Sequence, residues 1–215
     1  MKNPVKVKYS NNYLKKLSRL RNLSKEAMAM LKAPLKRDAL LTMKNFKEGI
    51  KNRSFGLKKL EDGTIRRKQL LGMERPDTPL FGKGDEQKRN SYINMLRIKH
   101  VKGGYMVTPA KTKHWSRKIE LNRLWKVHEL GTTIALGARQ SIKTKQTRGN
   151  TLIRIPPRPA LLMAYRKTMT MRNVKADAKI IKRALAIYAE TGKKGVLEKA
   201  EKQFTRGLTK YEERV

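Results

Sequence analysis

The sequence contains no cysteine, which excludes a disulfide framework and thiolate chemistry and is typical of proteins from a reducing compartment. It also lacks a long apolar run. Ala160–Tyr165 is among the longest, whereas a membrane-spanning helix needs about 20 apolar residues. The opening residues, Met1–Lys6, contain no apolar stretch of the kind found in signal peptides. We therefore expect a soluble protein with no membrane partner.

Acidic residues are scarce. Asp and Glu number 17 against 53 Lys and Arg, which gives a formal net charge of +36. Residues 1–25, 87–119 and 130–176 contain eight, nine and ten basic side chains, respectively, and no acidic one. Ordinary domains mix both signs over their surface. The imbalance predicts a polyanionic neighbour, either nucleic acid or a strongly acidic protein surface. A generally basic surface without a specific partner is the simpler alternative.

Residue patterns that support catalysis or metal binding are missing as well. His128-Glu129 resembles the start of a zinc-protease helix, but Thr132 stands where the second histidine is needed. His100 and His114 lack metal-ligand spacing, so we expect structural or solvent-exposed roles for them. The chain has no Gly-x-x-x-x-Gly-Lys-Ser/Thr phosphate loop and few acidic residues for a two-metal site. We predict that the protein is not an enzyme and binds no metal or cofactor.

A segment at 137–150 carries only basic charge and is typical of a flexible loop. Aromatic residues make up 6% of the chain, too few to favour single-strand binding by base stacking. Contact with duplex phosphates or with an acidic protein rim fits the composition better. The candidate residues for contact with a polyanion or partner are Arg139, Lys143, Lys145, Arg148 and Arg154.

Apolar periodicity predicts helices in both halves of the chain. The strongest stripe recurs at steps of three and four: Met28, Leu31, Leu35, Ala39, Met43, Phe46 and Ile50. Pro34 lies inside it and predicts a kink or a fresh helix start. Two more helices are predicted around Pro159–Thr168 and from about Val174 to Glu190, and Gly192 ends the second.

Short β-branched and alternating segments predict strands at Tyr92–Lys99, Tyr105–Val107, Thr132–Leu136 and Leu152–Ile155. The predicted fold class is α+β, with a long N-terminal helix and C-terminal helices packed on a small antiparallel β-sheet, and with extended basic arms and loops. We divide the chain into a basic N-terminal arm with a short helix at 1–23, an α+β domain at 24–190 and a C-terminal extension at 191–215.

Two short motifs stand out around the basic loop. The first, Leu124-Trp125-Lys126-Val127-His128-Glu129-Leu130-Gly131, is typical of a helical turn that ends at a glycine. The second, Ile153-Arg154-Ile155-Pro156-Pro157-Arg158-Pro159, ends a strand, and Pro159 can open the next helix.

The order of these motifs resembles the tailed-bacteriophage virion-morphogenesis family, which comprises tail-completion or neck proteins of the head–tail junction. The resemblance covers roughly Ala27 to Ala189. It implies a structural role for the motif residues Trp125, His128, Glu129, Gly131, Ile155, Pro156, Arg158 and Pro159. It also implies a ring of identical subunits that joins a portal or adaptor to a tail tube or terminator, around a channel for duplex DNA. The expected location is the neck of the virion, after assembly in the host cytoplasm.

A ribosomal or other RNA-binding structural protein is the alternative. The net charge of +36 and the basic N-terminal arm fit this class equally well. It does not account for the two motifs in their observed order, and no nucleic-acid-binding signature is present.

Overall fold

The structure is a computed structural model that describes residues 25–73, 75–80, 87–102, 104–114, 119–136, 151–208 and 211 of the chain. The predicted N-terminal arm with its short helix, and the predicted basic loop at 137–150, lie outside these residues. The described part contains six α-helices and two β-hairpins, so the α+β prediction is confirmed.

The longest element is helix α1, Lys25–Lys51, which runs without interruption through Pro34. Its prediction is confirmed, but the apolar stripe is correct only in the second half, where Phe46 and Ile50 are buried. In the first half Met28 and Leu35 are exposed, and Ala27, Met30 and Ala33 are buried instead. Because α1 contacts elements on several sides, burial extends around the helix and does not follow one stripe.

Helix α2, Asp62–Leu70, was not predicted. An Asp-Gly pair such as Asp62-Gly63 commonly indicates a turn, but these two residues form the start of the helix. Its sequence lacks the apolar periodicity by which amphipathic helices are recognised, and none of its residues is buried.

A 3₁₀ turn at Tyr92–Asn94 leads into strand β1, Leu96–Val101, which pairs antiparallel with β2, Gly104–Pro109. Strands β3, Thr132–Leu136, and β4, Thr151–Ile155, form a second hairpin. Four strands were expected in one sheet, whereas the two hairpins are separate. Each strand pairs with its neighbour in the sequence, and residue alternation does not reveal whether two hairpins join edge to edge.

Four further helices complete the described fold: α3, Leu121–Leu130, α4, Ala160–Met171, α5, Val174–Thr191, and α6, Gly195–Thr205. The prediction for α5 is confirmed at its end, where Gly192 has a φ of 69°. Asn173 caps its start by accepting a hydrogen bond from the Ala176 backbone N–H at 3.0 Å.

The buried apolar residues form two clusters along α1. One surrounds Phe46 and Ile50 and includes Tyr92, Leu121 and Ala160. The other joins Ala27 and Met30 of α1 to Tyr188 of α5 and Leu197 of α6. The segment that we assigned to a C-terminal extension therefore contains a helix that contributes to the core.

Candidate functional site

The two sequence motifs meet at the base of the second hairpin. Helix α3 ends at Gly131, which has a φ of 72° and a ψ of 167°. The β3–β4 ladder starts at the next residue, where Thr132 lies opposite Ile155. The hairpin register thus places the end of the first motif beside the start of the second.

Gly131 allows the two backbones to approach closely. A Cβ atom at this position would lie 2.9 Å from the Ile155 carbonyl oxygen and 2.9 Å from the Pro157 nitrogen. Its backbone conformation is also one that L-residues rarely adopt. The glycine that we predicted as a helix stop is therefore required by the packing of the second motif as well.

Arg158 links the second motif to the first and to the segment after α1. Its backbone N–H donates to the His128 carbonyl oxygen at 2.6 Å. Its side chain is buried, and its Nε–H donates to the Lys58 carbonyl oxygen at 3.3 Å. Burial lowers the pKa of Arg158, and the charge of Glu61 opposes this effect. Arg158 thus connects backbone segments through hydrogen bonds from its main chain and its side chain.

Glu129 caps the N-terminus of α4. Its two carboxylate oxygens accept hydrogen bonds from the backbone N–H groups of Leu161, at 3.2 Å, and Leu162, at 2.9 Å. These are among the N–H groups that a helix cannot satisfy internally, and a carboxylate is favoured there by the helix dipole. Burial raises the pKa of Glu129, and the backbone hydrogen bonds partly oppose that rise.

The aromatic residues of this region pack against the first core cluster. His128 contacts Tyr92 edge to face at a centroid distance of 5.3 Å, and Tyr92 lies 5.9 Å from Phe46. Burial raises the pKa of Tyr92, with a further contribution from Glu129. Trp125 is half-buried, and its Nε1–H has no hydrogen-bond partner among the described residues.

Only some of the remaining predicted site residues lie where the two motifs meet. Ile155 and Pro156 are half-buried at the base of the hairpin, and Pro159 immediately precedes the first helical residue of α4. Arg154 is exposed on β4, opposite Thr133. The other candidate polyanion contacts, Arg139, Lys143, Lys145 and Arg148, lie outside the described residues.

The junction is arranged to hold backbone segments together. Both oxygens of Glu129 are engaged by helix N–H groups, and His128 lies with its ring against Tyr92. Within the described residues, no group of three or more His, Asp or Glu side chains has the arrangement of a metal site. Likewise, none of the helices in the described ranges has the length and apolar character needed to cross a membrane.

The sequence analysis missed a partly buried ion-pair network between the helices. The Arg37 guanidinium donates to Asp38 at 2.8 Å and to Asp177 at 2.9 Å, and lies over the Phe204 ring at 5.8 Å. Arg172 pairs with the second oxygen of Asp38 at 3.3 Å. A signal was present, because Asp38 interrupts the apolar side of α1 in a chain with few acidic residues.

We expect the Glu129→Ala variant to lose about 1–2 kcal/mol of unfolding free energy, because two of the first N–H groups of α4 would lose their carboxylate acceptor. Urea denaturation followed by circular dichroism measures this loss. Glu201→Ala, a partly exposed change in the middle of α6, is the control and should change stability by less than about 0.5 kcal/mol. Equal effects of the two substitutions would contradict the capping role.

The raised pKa of Glu129 gives this contribution a defined pH dependence. A carboxyl group whose pKa is higher in the folded state stabilises the fold below its unfolded pKa, and that stability is lost as the pH rises through the folded pKa. The unfolding free energy of wild type minus that of Glu129→Gln should therefore increase as the pH is lowered from about 7 to about 4, because glutamine does not titrate. A difference that stays constant or decreases would show that this pKa is not raised.

Comparisons of the chain with protein-family models, with curated proteins and with solved structures return no match.

Proposed function

We propose that the protein is a structural, non-enzymatic subunit of the neck of a tailed phage. In this proposal, copies of the chain form a ring that joins the portal or adaptor to the tail tube or terminator, around a channel for duplex DNA. The observation that carries the proposal is the close approach of Gly131 to the backbone of Ile155 and Pro157. The two motifs behind the family resemblance thus form one structural unit, as expected if they serve a shared fold.

The contacts of the motif side chains support a structural role for them. Glu129 caps α4, Arg158 connects two backbone segments, and His128 packs on Tyr92. His128 and Glu129, which resemble the start of a zinc-protease helix in the sequence, are thus engaged in contacts within the fold. The function of the protein would then depend on surfaces that it presents to neighbours.

The charge distribution supports a polyanionic neighbour. Strand β3 ends at Leu136 and β4 begins at Thr151, so the basic segment 137–150 is attached to the hairpin end opposite Gly131. We propose that its cations face a neighbouring subunit or the DNA in the channel, where phosphate contacts need no base recognition. The purified protein would be monomeric or weakly associating and would assemble on its virion partners.

Removal of the gene tests the proposal. A phage genome with an early stop codon in this gene should yield DNA-filled heads and separate tails by electron microscopy, and infectivity should return when the wild-type chain is supplied from a plasmid. Complete, infectious particles assembled without the chain would refute the proposed placement. Co-sedimentation of the protein with ribosomal subunits at high salt would instead favour the RNA-binding alternative.

The same complementation assay tests the basic segment. A variant with Arg139, Lys143, Lys145 and Arg148 replaced by glutamine should fail to restore infectivity. The control replaces the same number of exposed cations elsewhere with glutamine, at Lys175, Lys179, Lys182 and Lys193, and should restore it. Because both variants lose equal charge, equal complementation would show that the segment has no specific contact.

A further inference from the structure

An open groove of about 750 Å³ lies between α1, the β1–β2 hairpin and α4. Large apolar side chains along it remain accessible: Leu35 is 38% exposed, Met106 46%, Leu162 43% and Tyr165 51%. Contiguous exposed apolar surface of this kind marks interaction sites, whereas single exposed apolar residues do not. The elements around the groove are firmly held, because Ala39 and Ala164 on the adjoining helices are buried.

The charges that remain available at the groove are positive. Its two acidic residues are engaged within the protein: Asp38 pairs with Arg172 and Arg37, and Glu129 caps α4. Lys102, at the hairpin turn, is exposed beside the apolar surface, and Arg172, after α4, leaves 34% of its side chain exposed there while it pairs with Asp38. An occupant therefore meets apolar side chains along the groove and cations at its margin.

We propose that this groove binds a segment of another protein that presents two or three large apolar side chains flanked by Asp or Glu. Amphipathic segments bind apolar grooves in this way, through apolar anchors with charged residues at the edge. Nucleic acid is a poorer fit, because an apolar floor offers no donors to phosphates. The proposal does not rest on the phage assignment, since it depends only on the groove and its charges.

Charge also distinguishes this partner from the chain itself. Residues 1–25 carry eight basic side chains and no acidic one, so the N-terminal arm would bring cations to a basic margin. A second copy of the chain, with a net charge of +36, would do the same. Like charges brought together at a binding surface oppose association. An acidic protein supplies the complementary charge that this chain lacks.

Three synthetic peptides of about 14 residues test the partner chemistry against the purified full-length protein. The first has Leu at helical spacing with Glu elsewhere, the second has Lys in place of every Glu, and the third has Ser in place of every Leu. We expect fluorescence anisotropy to show binding of the first peptide at least about 10-fold tighter than of the other two. The tighter binding should weaken with added salt.

Substitutions locate the binding site. Met106→Glu places a carboxylate in the groove and should weaken binding of the acidic peptide by about 10-fold or more. Leu70→Glu is the matched control, because Leu70 is 84% exposed on α2 and does not line the groove, so its affinity should change by less than about 2-fold. Circular dichroism of each variant checks that the fold is retained.

Three results would overturn the proposal. Equal or tighter binding of the lysine peptide, or of a peptide with the sequence of residues 1–25, would assign the groove to a basic segment. Self-association of the wild type that Met106→Glu abolishes, measured by sedimentation, would assign it to a second copy. Failure of the acidic peptide to bind, or equal loss of binding in both variants, would show that the groove is not the site.

Discussion

Replacement of Asp177 by alanine is expected to lower the free energy of unfolding by about 2–3 kcal/mol, because the partly buried Arg37 guanidinium would lose its hydrogen bonds to Asp177 and keep only Asp38 as an acidic partner. Asp177 is 6% exposed, and Arg37 donates to it from both terminal nitrogens. The Asp177 hydrogen bond is also the largest contribution to the raised pKa of Arg37. Urea denaturation at neutral pH measures the loss.

The Arg53–Asp77 pair provides the matched control. Both side chains are substantially exposed, 52% and 41%, so the charges are largely screened by solvent. Asp77→Ala should therefore cost less than about 1 kcal/mol. If Asp177→Ala cost no more than Asp77→Ala, the network between α1 and α5 would not contribute to stability.

Replacement of Gly131 by alanine is expected to cost about 2–4 kcal/mol of unfolding free energy, for two reasons. The φ of 72° with a ψ of 167° strains any residue other than glycine. The added Cβ would also lie 2.9 Å from the Ile155 oxygen and from the Pro157 nitrogen, both of which are backbone atoms. The melting temperature should fall by roughly 5–15 °C, measured by circular dichroism.

Two other glycines separate these contributions. Gly56 has a positive φ of 58° and nothing within 4 Å of its Cβ position, so Gly56→Ala isolates backbone strain and should cost about 1 kcal/mol. Gly63 lies in α2 with open space around it, so Gly63→Ala should be neutral or slightly stabilising. If Gly131→Ala matched Gly56→Ala, the contact between the two motifs would add no constraint.

The boundaries of several elements could be predicted because their signals are local. Gly131 and Gly192 end α3 and α5 where the sequence indicates, and Gly104 begins the second strand of the first hairpin. Helix stops and hairpin turns depend on backbone conformations within a few residues. Helix α2 was missed for the same reason, since it buries no residue and so has no apolar periodicity to detect.

The faces that these elements bury could not be predicted in the same way. Met28 and Leu35 follow the apolar period of α1 and yet are exposed, whereas Asp38 on the same helix is buried. The outcome depends on partners far along the chain, such as Asp177, which lies 140 residues from Arg37. The spacing of apolar residues in a helix does not show which other elements will pack against that helix.

By itself, the sequence determined the excess of positive charge, the absence of cysteine chemistry, most of the helical and strand segments, and the two motifs that stand on either side of the basic segment. The tertiary structure decided that these motifs touch, that Glu129 caps a helix 32 residues away, and that an apolar groove stays open beside α4. Local propensity acts over a few residues, whereas these contacts depend on how the chain closes over long separations.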